Sequence, residues 1–406
     1  MNNKQEHSKR RWLNRNIAGM GLASLFSDWN HEMASAVLPI FLSSVLHAPA
    51  FALGVIEGVA DGVSTIFEVW SGWYSDKIGK RKGLAAAGYF ITAFSKASFA
   101  LATNWWQVLI GRTAGWIGWS VRSPVRDALL VESTQPETIG RAFAFHRTMD
   151  TLGAIAGPLT ATLLITHVPI RTIFLISLIP GLCAFLSITF LVKEKAKRPD
   201  TRNTWQSMKD LSAGFKKFLV PIGIFGISNF APTFLILRAE TLLAPAHGVL
   251  VAGTFAVGLY TFSNVIYAMV GYPIGMLADR YSKKNILAVG YVLFAVLCFG
   301  FIYADARLWT LGACFAVSGI YTAIIESSQP ALASTLIAAD QHGAGYGVMS
   351  AVDGVGDFLS SITVGLLWTY LSPASGFLFG GILAMLAAII LFTIRLRPLE
   401  FRPAHI

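Results

Sequence analysis

Apolar stretches recur along this chain, each closed by a short run of charges, a glycine or a proline. A helix needs about 20 apolar residues to cross a bilayer. By that measure the pattern predicts spans over 16–47, 51–76, 83–103, 105–131, 140–166 and 169–192. Six more are predicted over 217–244, 251–278, 284–304, 308–336, 342–371 and 375–396. The stretch between the two sets is polar and basic and contains Pro199; the part beginning at Trp205 reads as a short surface helix. The expected organisation is a six-helix bundle over 1–192, a cytoplasmic linker over 193–216 and a second six-helix bundle over 217–406. Pro39, Pro124, Pro158, Pro232, Pro273 and Pro330 fall inside predicted spans. Inside a bundle neighbouring helices re-satisfy the freed carbonyls, and such kinks serve either packing or gating.

The two sets of spans are copies. Gly72-Trp-Tyr-Ser-Asp76-Lys77 returns as Gly275-Met-Leu-Ala-Asp279-Arg280, and the shift from Asp76 to Asp279 is 203 positions, half of the 406 residues. The same shift places Asp61 on Asn264, Arg126 on Gln329, Gly140 on Gly343, Asp150 on Asp353 and Gly153 on Gly356. Parallel repeats related by an axis along the membrane normal are one known transporter plan.

Composition agrees with a membrane protein. The chain is 54% hydrophobic and 13% charged, with a mean hydropathy of +0.58, a balance a soluble domain of this length does not carry on its surface. The net charge of +10 invites a nucleic-acid reading, but the Lys and Arg residues sit in short runs between apolar stretches and make no single basic face. They crowd the N-terminus, the hairpin at Lys77 to Lys82, the linker, the hairpin at Arg280 to Lys284 and the C-terminus, and they nearly avoid the alternate loops. That asymmetry puts both termini in the cytoplasm. The first segment lacks a small-residue cleavage site and reads as a retained helix. Cys183, Cys298 and Cys314 lie in apolar stretches and read as small buried hydrophobes.

The run Gly72 to Lys82 fits G-x-x-x-D-[RK]-x-G-[RK]-[RK]-[RK] completely, with Asp76, Gly79 and Arg81 at its fixed positions. With twelve spans and two homologous halves, the whole chain resembles the major facilitator superfamily. The second copy of the motif has Ser282 in place of its second glycine. Gly153-Ala-Ile-Ala-Gly157-Pro158 resembles the fifth-helix motif frequent in the family's antiporters, and Arg112 resembles its fourth-helix arginine, with Trp116 near a usual glycine. The resemblance implies an all-α fold of two pseudo-symmetric bundles, with helices 1, 4, 7 and 10 lining a central cavity. It also implies a latch in which Asp76 and Asp279, with Gly72, Gly79, Arg81 and Arg280, meet the cytoplasmic helix starts at Gly343 and Gly140. A carboxylate at a helix N-terminus contributes roughly 0.3–1 kcal/mol, and here only while that side is closed.

Ionisable groups at bilayer depth cost roughly 2.5–3.5 kcal/mol or more unless paired or wet, and the first half is rich in them. Asp28, His31 and Glu32 lie on the first segment, Glu57, Asp61 and Glu68 on one stripe of the second, Arg112, Arg122, Arg126 and Asp127 on the fourth, and His146, Arg147 and Asp150 on the fifth. The plainer account is interhelical pairing of Arg122 or Arg126 with Asp28 or Asp150. As a set, carboxylates against low-dielectric walls suit proton coupling, which nominates Asp28, Glu32, Glu57 and Asp61 with His146 and Asp150. The guanidinium forks of Arg122 and Arg126 suit an anion. Trp29 and Trp119 offer aromatic walls, and Asn264 and Gln329 are the second-half counterparts.

The expectation is a proton-coupled secondary transporter of a small polar, anionic organic solute, working by alternating access. It is expected to be monomeric, in a bacterial inner membrane, with solute, protons and lipid as partners and with no cofactor, bound metal or nucleic acid. The alternatives are a multidrug/proton antiporter, a divalent metal transporter using Asp28, His31 and Glu32, and a non-transporting receptor on the same scaffold. No phosphate-binding glycine loop, His-Glu-x-x-His or zinc-spaced cysteine pair supports an enzyme or an ATP-driven pump.

Overall fold

The computed structural model describes residues 13–78, 81–134, 138–194, 211–337 and 342–396, and its regular elements there are all helical. In chain order they are α1 (Arg15–Ile40), α2 (Ala50–Ile78), α3 (Lys82–Ser98), α4 (Trp105–Glu132), α5 (Ile139–Leu164) and α6 (Ile170–Leu186). The second half holds α7 (Ala213–Ser228), α8 (Thr233–His247), α9 (Val249–Arg280), α10 (Lys283–Tyr303), α11 (Leu308–Leu336), α12 (His342–Tyr370) and α13 (Pro373–Thr393). The 205–211 helix expected in the linker lies outside the described residues, apart from Leu211, which is buried but not helical.

Local chemistry sets the boundaries. The Asn14 side chain accepts from the Asn16 and Ile17 amides at 2.9 and 3.0 Å and so caps α1. Pro39, near its other end, has no N–H to donate, and the helix widens into a π turn over Phe41–Val45. The seventh predicted span is two helices: α7 stops at Ser228 and α8 starts at Thr233, with Pro232 at its N-cap. Gly248 joins α8 to α9 with φ +76°, a left-handed turn that disfavours a side chain.

Among the described residues nine helical stretches are long and apolar enough to cross a membrane, counting α7 and α8 as one. The helices missing from that set are α1, α4 and α5, those that carry most of the first half's internal charge. Large apolar side chains such as Ile66, Leu101, Ile110, Leu163 and Phe190 point outward, as a bilayer-facing surface requires.

Two seams join the halves, α2 against α12 and α5 against α9. The end carrying Arg15, Lys82, Lys193, Lys283 and Arg395 is called the basic end here. At the opposite end the halves are pressed together. A Cβ on Gly54 would strike the Ser361 carbonyl, one on Gly365 would sit 3.1 Å from the Ala50 carbonyl, and one on Gly253 would sit 2.9 Å from Ile40. The Ser43 hydroxyl donates to Glu240 of α8 at 3.0 Å, and the Phe51 amide to Thr369 at 2.8 Å. Towards the basic end, a Cβ on Gly140, Gly271, Gly275 or Gly347 would meet nothing within 4 Å. The cleft between the halves is therefore sealed at the far end; it is open towards the basic end, where Arg147 of α5 and Glu326 of α11 face each other across it and are 62% and 43% exposed.

Candidate functional site

α1 is held against bare backbone. A Cβ on Gly153 of α5 would strike the Leu25 carbonyl and lie 2.9 Å from the Asp28 Cβ. One on Gly157 would lie 2.7 Å from the Met33 amide and 2.8 Å from the Glu32 Cβ. Gly153 and Gly157, with Pro158 buried beside them, thus let α1 approach at the two turns that carry Asp28 and Glu32. Trp29, between those turns, donates from its indole to Thr160 at 3.1 Å, so it ties α1 to α5 and does not line the central cavity.

That cavity, about 320 Å³, lies between the halves. Its walls carry four carboxylates, Asp28, Glu32, Asp150 and Glu326, one guanidinium, Arg147, and the rings of Trp119, Tyr260 and Tyr267. Three side chains cross it. Tyr260 of α9 donates to Glu32 Oε2 at 2.9 Å, Arg147 of α5 donates to Glu326 Oε2 of α11 at 3.0 Å, and Asn264 of α9 donates to the Ala154 carbonyl at 2.9 Å. Tyr267 donates to the same Glu326 oxygen. A larger groove, about 590 Å³, runs between α7 and α12, but its lining has no polar side chain to orient a polar solute.

Behind the wall the first half is cross-tied. Arg112 donates through Nε and Nη2 to Glu57 Oε2 at 3.0 and 2.8 Å, and through Nη1 to Ser35 at 2.7 Å, joining α4 to α2 and α1. Arg122 is 0% exposed. Its guanidinium lies between the rings of Tyr89 and Trp119, 4.3 and 4.2 Å from their centroids, with Nη2 3.9 Å from Asp28 Oδ1. Arg126 is 8% exposed and donates to Asp127 at 3.0 and 3.1 Å. Asp150 takes a bond from Ser24 and lies 3.3 Å from His146 Nδ1.

Of the residues picked out in the sequence, Asp28, Glu32, Asp150, Trp119 and Asn264 line one cavity. Arg122 and Arg126 do not; both are packed behind it. Glu57 is in the buried pair with Arg112, and Gln329 donates to Asp353 at 2.7 Å on the second half. Asp61 sits on the α2 seam within electrostatic reach of Asp357 of α12. Gly72, Asp76 and Asp279 lie in helical backbone but their side chains are outside the described set, as is all of Gly79. Arg81, at the latch motif, binds Glu132 of α4 and gives its amide to Glu194, contacts within the first half. Arg280 is an exposed last residue of α9. No three His, Cys, Asp or Glu among the described residues could hold a metal ion; the His31 ring packs instead on Trp116 and Trp119, 5.3 Å from each.

Tyr260, Tyr267 and Lys96 do not stand out from the sequence pattern. Lys96 of α3 is 0% exposed and, among the described residues, has no hydrogen-bond partner for Nζ, which lies 5.8 Å over the Phe99 ring and 3.3 Å from where a Gly115 Cβ would be. A lysine in an otherwise apolar 82–101 stretch was the available signal.

Three comparisons bear on this arrangement. A family model described as Major Facilitator Superfamily matches residues 20–263 and 218–405. The MFS-type transporter MJ1317 of Methanocaldococcus jannaschii is 31% identical over 387 residues, covering 95% of this chain and 96% of its own. A multidrug resistance protein B homolog of Mycobacterium tuberculosis is 25% identical over 227 residues, 55% of this chain and 40% of its own. Among solved structures, a peptide transporter POT in complex with sulfate superposes with a TM-score of 0.79 at 9% identity, covering 93% of this chain and 94% of that one.

Proposed function

This chain belongs to the major facilitator superfamily, and from that premise we propose that it is a proton-coupled secondary transporter of a small organic solute, working by alternating access. The carrying observation is the cavity between the halves, sealed at one end and open at the other, with Glu32 hydrogen-bonded across it to Tyr260. A carboxylate placed there links its proton to the contact between halves. Protonated, it can still accept from the phenol but has no charge to neutralise; ionised, it calls for a cation or water. Asp28 and Asp150 share the wall and are the next proton carriers. Glu57 holds the bundle together, and Asp61 acts at the α2–α12 seam.

The basic end faces the cytoplasm in this reading, so the conformation is inward-open, in a monomer in the inner membrane. Asp76 and Asp279 act in the opposite, closed state. The anionic cargo expected from Arg122 and Arg126 finds little support, because neither lines the cavity and the lining guanidinium is already bound to Glu326. The exporter reading gains from the same facts.

The test is reconstitution in liposomes with a pH-sensitive dye trapped inside. Solute-dependent proton movement that needs the protein, and that falls at least tenfold in Glu32→Gln, is expected. Solute movement indifferent to the pH gradient and to Glu32→Gln overturns the proton coupling.

A further inference from the structure

We infer that the cargo is an organic cation with a flat aromatic part, and that its positive head replaces a proton at Glu32. This rests on the cavity being the transport site, and it names what the site takes.

The wall bears four carboxylates and one guanidinium, and three of the carboxylates already have a partner that is cationic or can become so. Glu326 has Arg147 at 3.0 Å, Asp28 has Arg122 at 3.9 Å, and Asp150 has His146 at 3.3 Å. Glu32 differs. Its hydrogen bond comes from the neutral phenol of Tyr260, and among the described residues no Lys, Arg or His nitrogen lies within ion-pairing distance of it. An ionised carboxylate in that position lacks a counter-charge and an un-ionised one does not, so a proton and a bound cation are alternatives at the same oxygens. An anion would find no free cation on this wall among the described residues, since Arg147 is already bound to Glu326.

The surroundings also favour a cation. The rings of Trp119, Tyr260 and Tyr267 line the same cavity, and aromatic faces attract positive charge while stacking on flat rings. The charged or titratable groups in reach of Glu32 from the helices around it are Glu57 of α2, Lys96 of α3, Arg112 of α4 and Tyr260 of α9, with Asp28 on its own helix and Asp150 of the adjacent α5 on the same wall. Arg112 is bound to Glu57, and Lys96 lies buried against Phe99. Neither occupies the cavity side of Glu32.

The exchange balances. One cation enters at the carboxylate, one proton leaves it to water, and the charge of the occupied site is the same before and after. Binding of 1-methyl-4-phenylpyridinium to the purified full chain in detergent should therefore tighten by up to about tenfold per pH unit while Glu32 starts protonated. Biphenyl-4-carboxylate, with the same two rings and opposite charge, should give no thermal stabilisation. Glu32→Gln should abolish the pH slope and weaken the cation at least tenfold. Glu32→Asp should keep the slope, and the ligand-free melting temperature of each variant shows that it is folded. Stabilisation by biphenyl-4-carboxylate instead of the cation, no binding of either, or a pH slope unchanged in Glu32→Gln overturns the inference. Proton movement in liposomes with some other solute would then leave the transporter reading standing. Pyridinium binding without any proton movement in liposomes would sink the transport reading and keep the cation site.

Discussion

Arg112 and Glu57 show how one residue type can serve the fold where another serves the site. Both are nearly fully buried, two guanidinium nitrogens donate to one carboxylate oxygen, and the third donates to Ser35. Removing one partner leaves an uncompensated buried charge, which costs about 3–5 kcal/mol, whereas removing both can be close to neutral. Arg112→Met alone should therefore lower the melting temperature strongly, and adding Glu57→Gln should restore most of it; equal losses in the single and double variants would refute the pairing. Arg122 holds a different position. Among the described residues its nitrogens have no hydrogen-bond acceptor, and its stabilisation comes from two ring faces and the more distant Asp28. Tyr89→Leu should destabilise the protein by about 1–2 kcal/mol beyond the lost apolar contact, the scale of a desolvated cation–π pair, and Tyr89→Phe, which keeps the ring, should cost far less in the same melting assay.

At the scale of the helix, spacing alone carried a good deal. The Gly153, Gly157 and Pro158 pattern was legible as a motif, and its physical content is the seating of α1 on α5. Gly157→Ala should destabilise by about 1–3 kcal/mol, because its Cβ would lie 2.7 Å from the Met33 amide and both backbones would have to part. Gly140→Ala, whose Cβ meets nothing, should leave the melting temperature unchanged or slightly raised. A comparison of the two melting curves decides it. The same spacing gave the charges on α1, α4 and α5, and those helices are the ones too polar to qualify as spans by hydropathy. What spacing could not give is which way a charge faces once three helices meet. Glu57, Asp61 and Glu68 form one stripe in sequence, yet Glu57 goes to Arg112, Asp61 to the α12 seam, and Glu68 is exposed. Spacing puts Arg122 among the cavity groups, but it packs behind the wall between rings from α3 and α4, a tertiary sandwich with no sequence period. The break between α7 and α8 was signalled by Pro232 but does not stand out from the other five prolines, whose helices run on.

For the molecule as a whole, the duplication places two seams on opposite sides of one cleft, and closure at the far end rests on small residues packed at the α2–α12 seam and where the end of α1 meets α8 and α9. At α2–α12, Gly54, Gly58, Gly62 and Gly365 put backbone against backbone or against Phe358. At the α1 end, Ser43 reaches Glu240 and Ile40 fills the space over Gly253. If the cleft must open there for each cycle, tying that end shut should stop turnover without emptying the cavity. The Phe51 amide and the Thr369 hydroxyl are 2.8 Å apart across the seam, so cysteines at these two positions are within bridging reach. The native Cys183, Cys298 and Cys314 are buried or half-buried in α6, α10 and α11, away from that pair. Oxidation of Phe51→Cys/Thr369→Cys should reduce transport at least tenfold, reductant should restore it, and ligand binding from the basic end should persist in the oxidised form. Full transport by the cross-linked protein would mean that the far end never opens, and alternating access about this cavity would have to be abandoned.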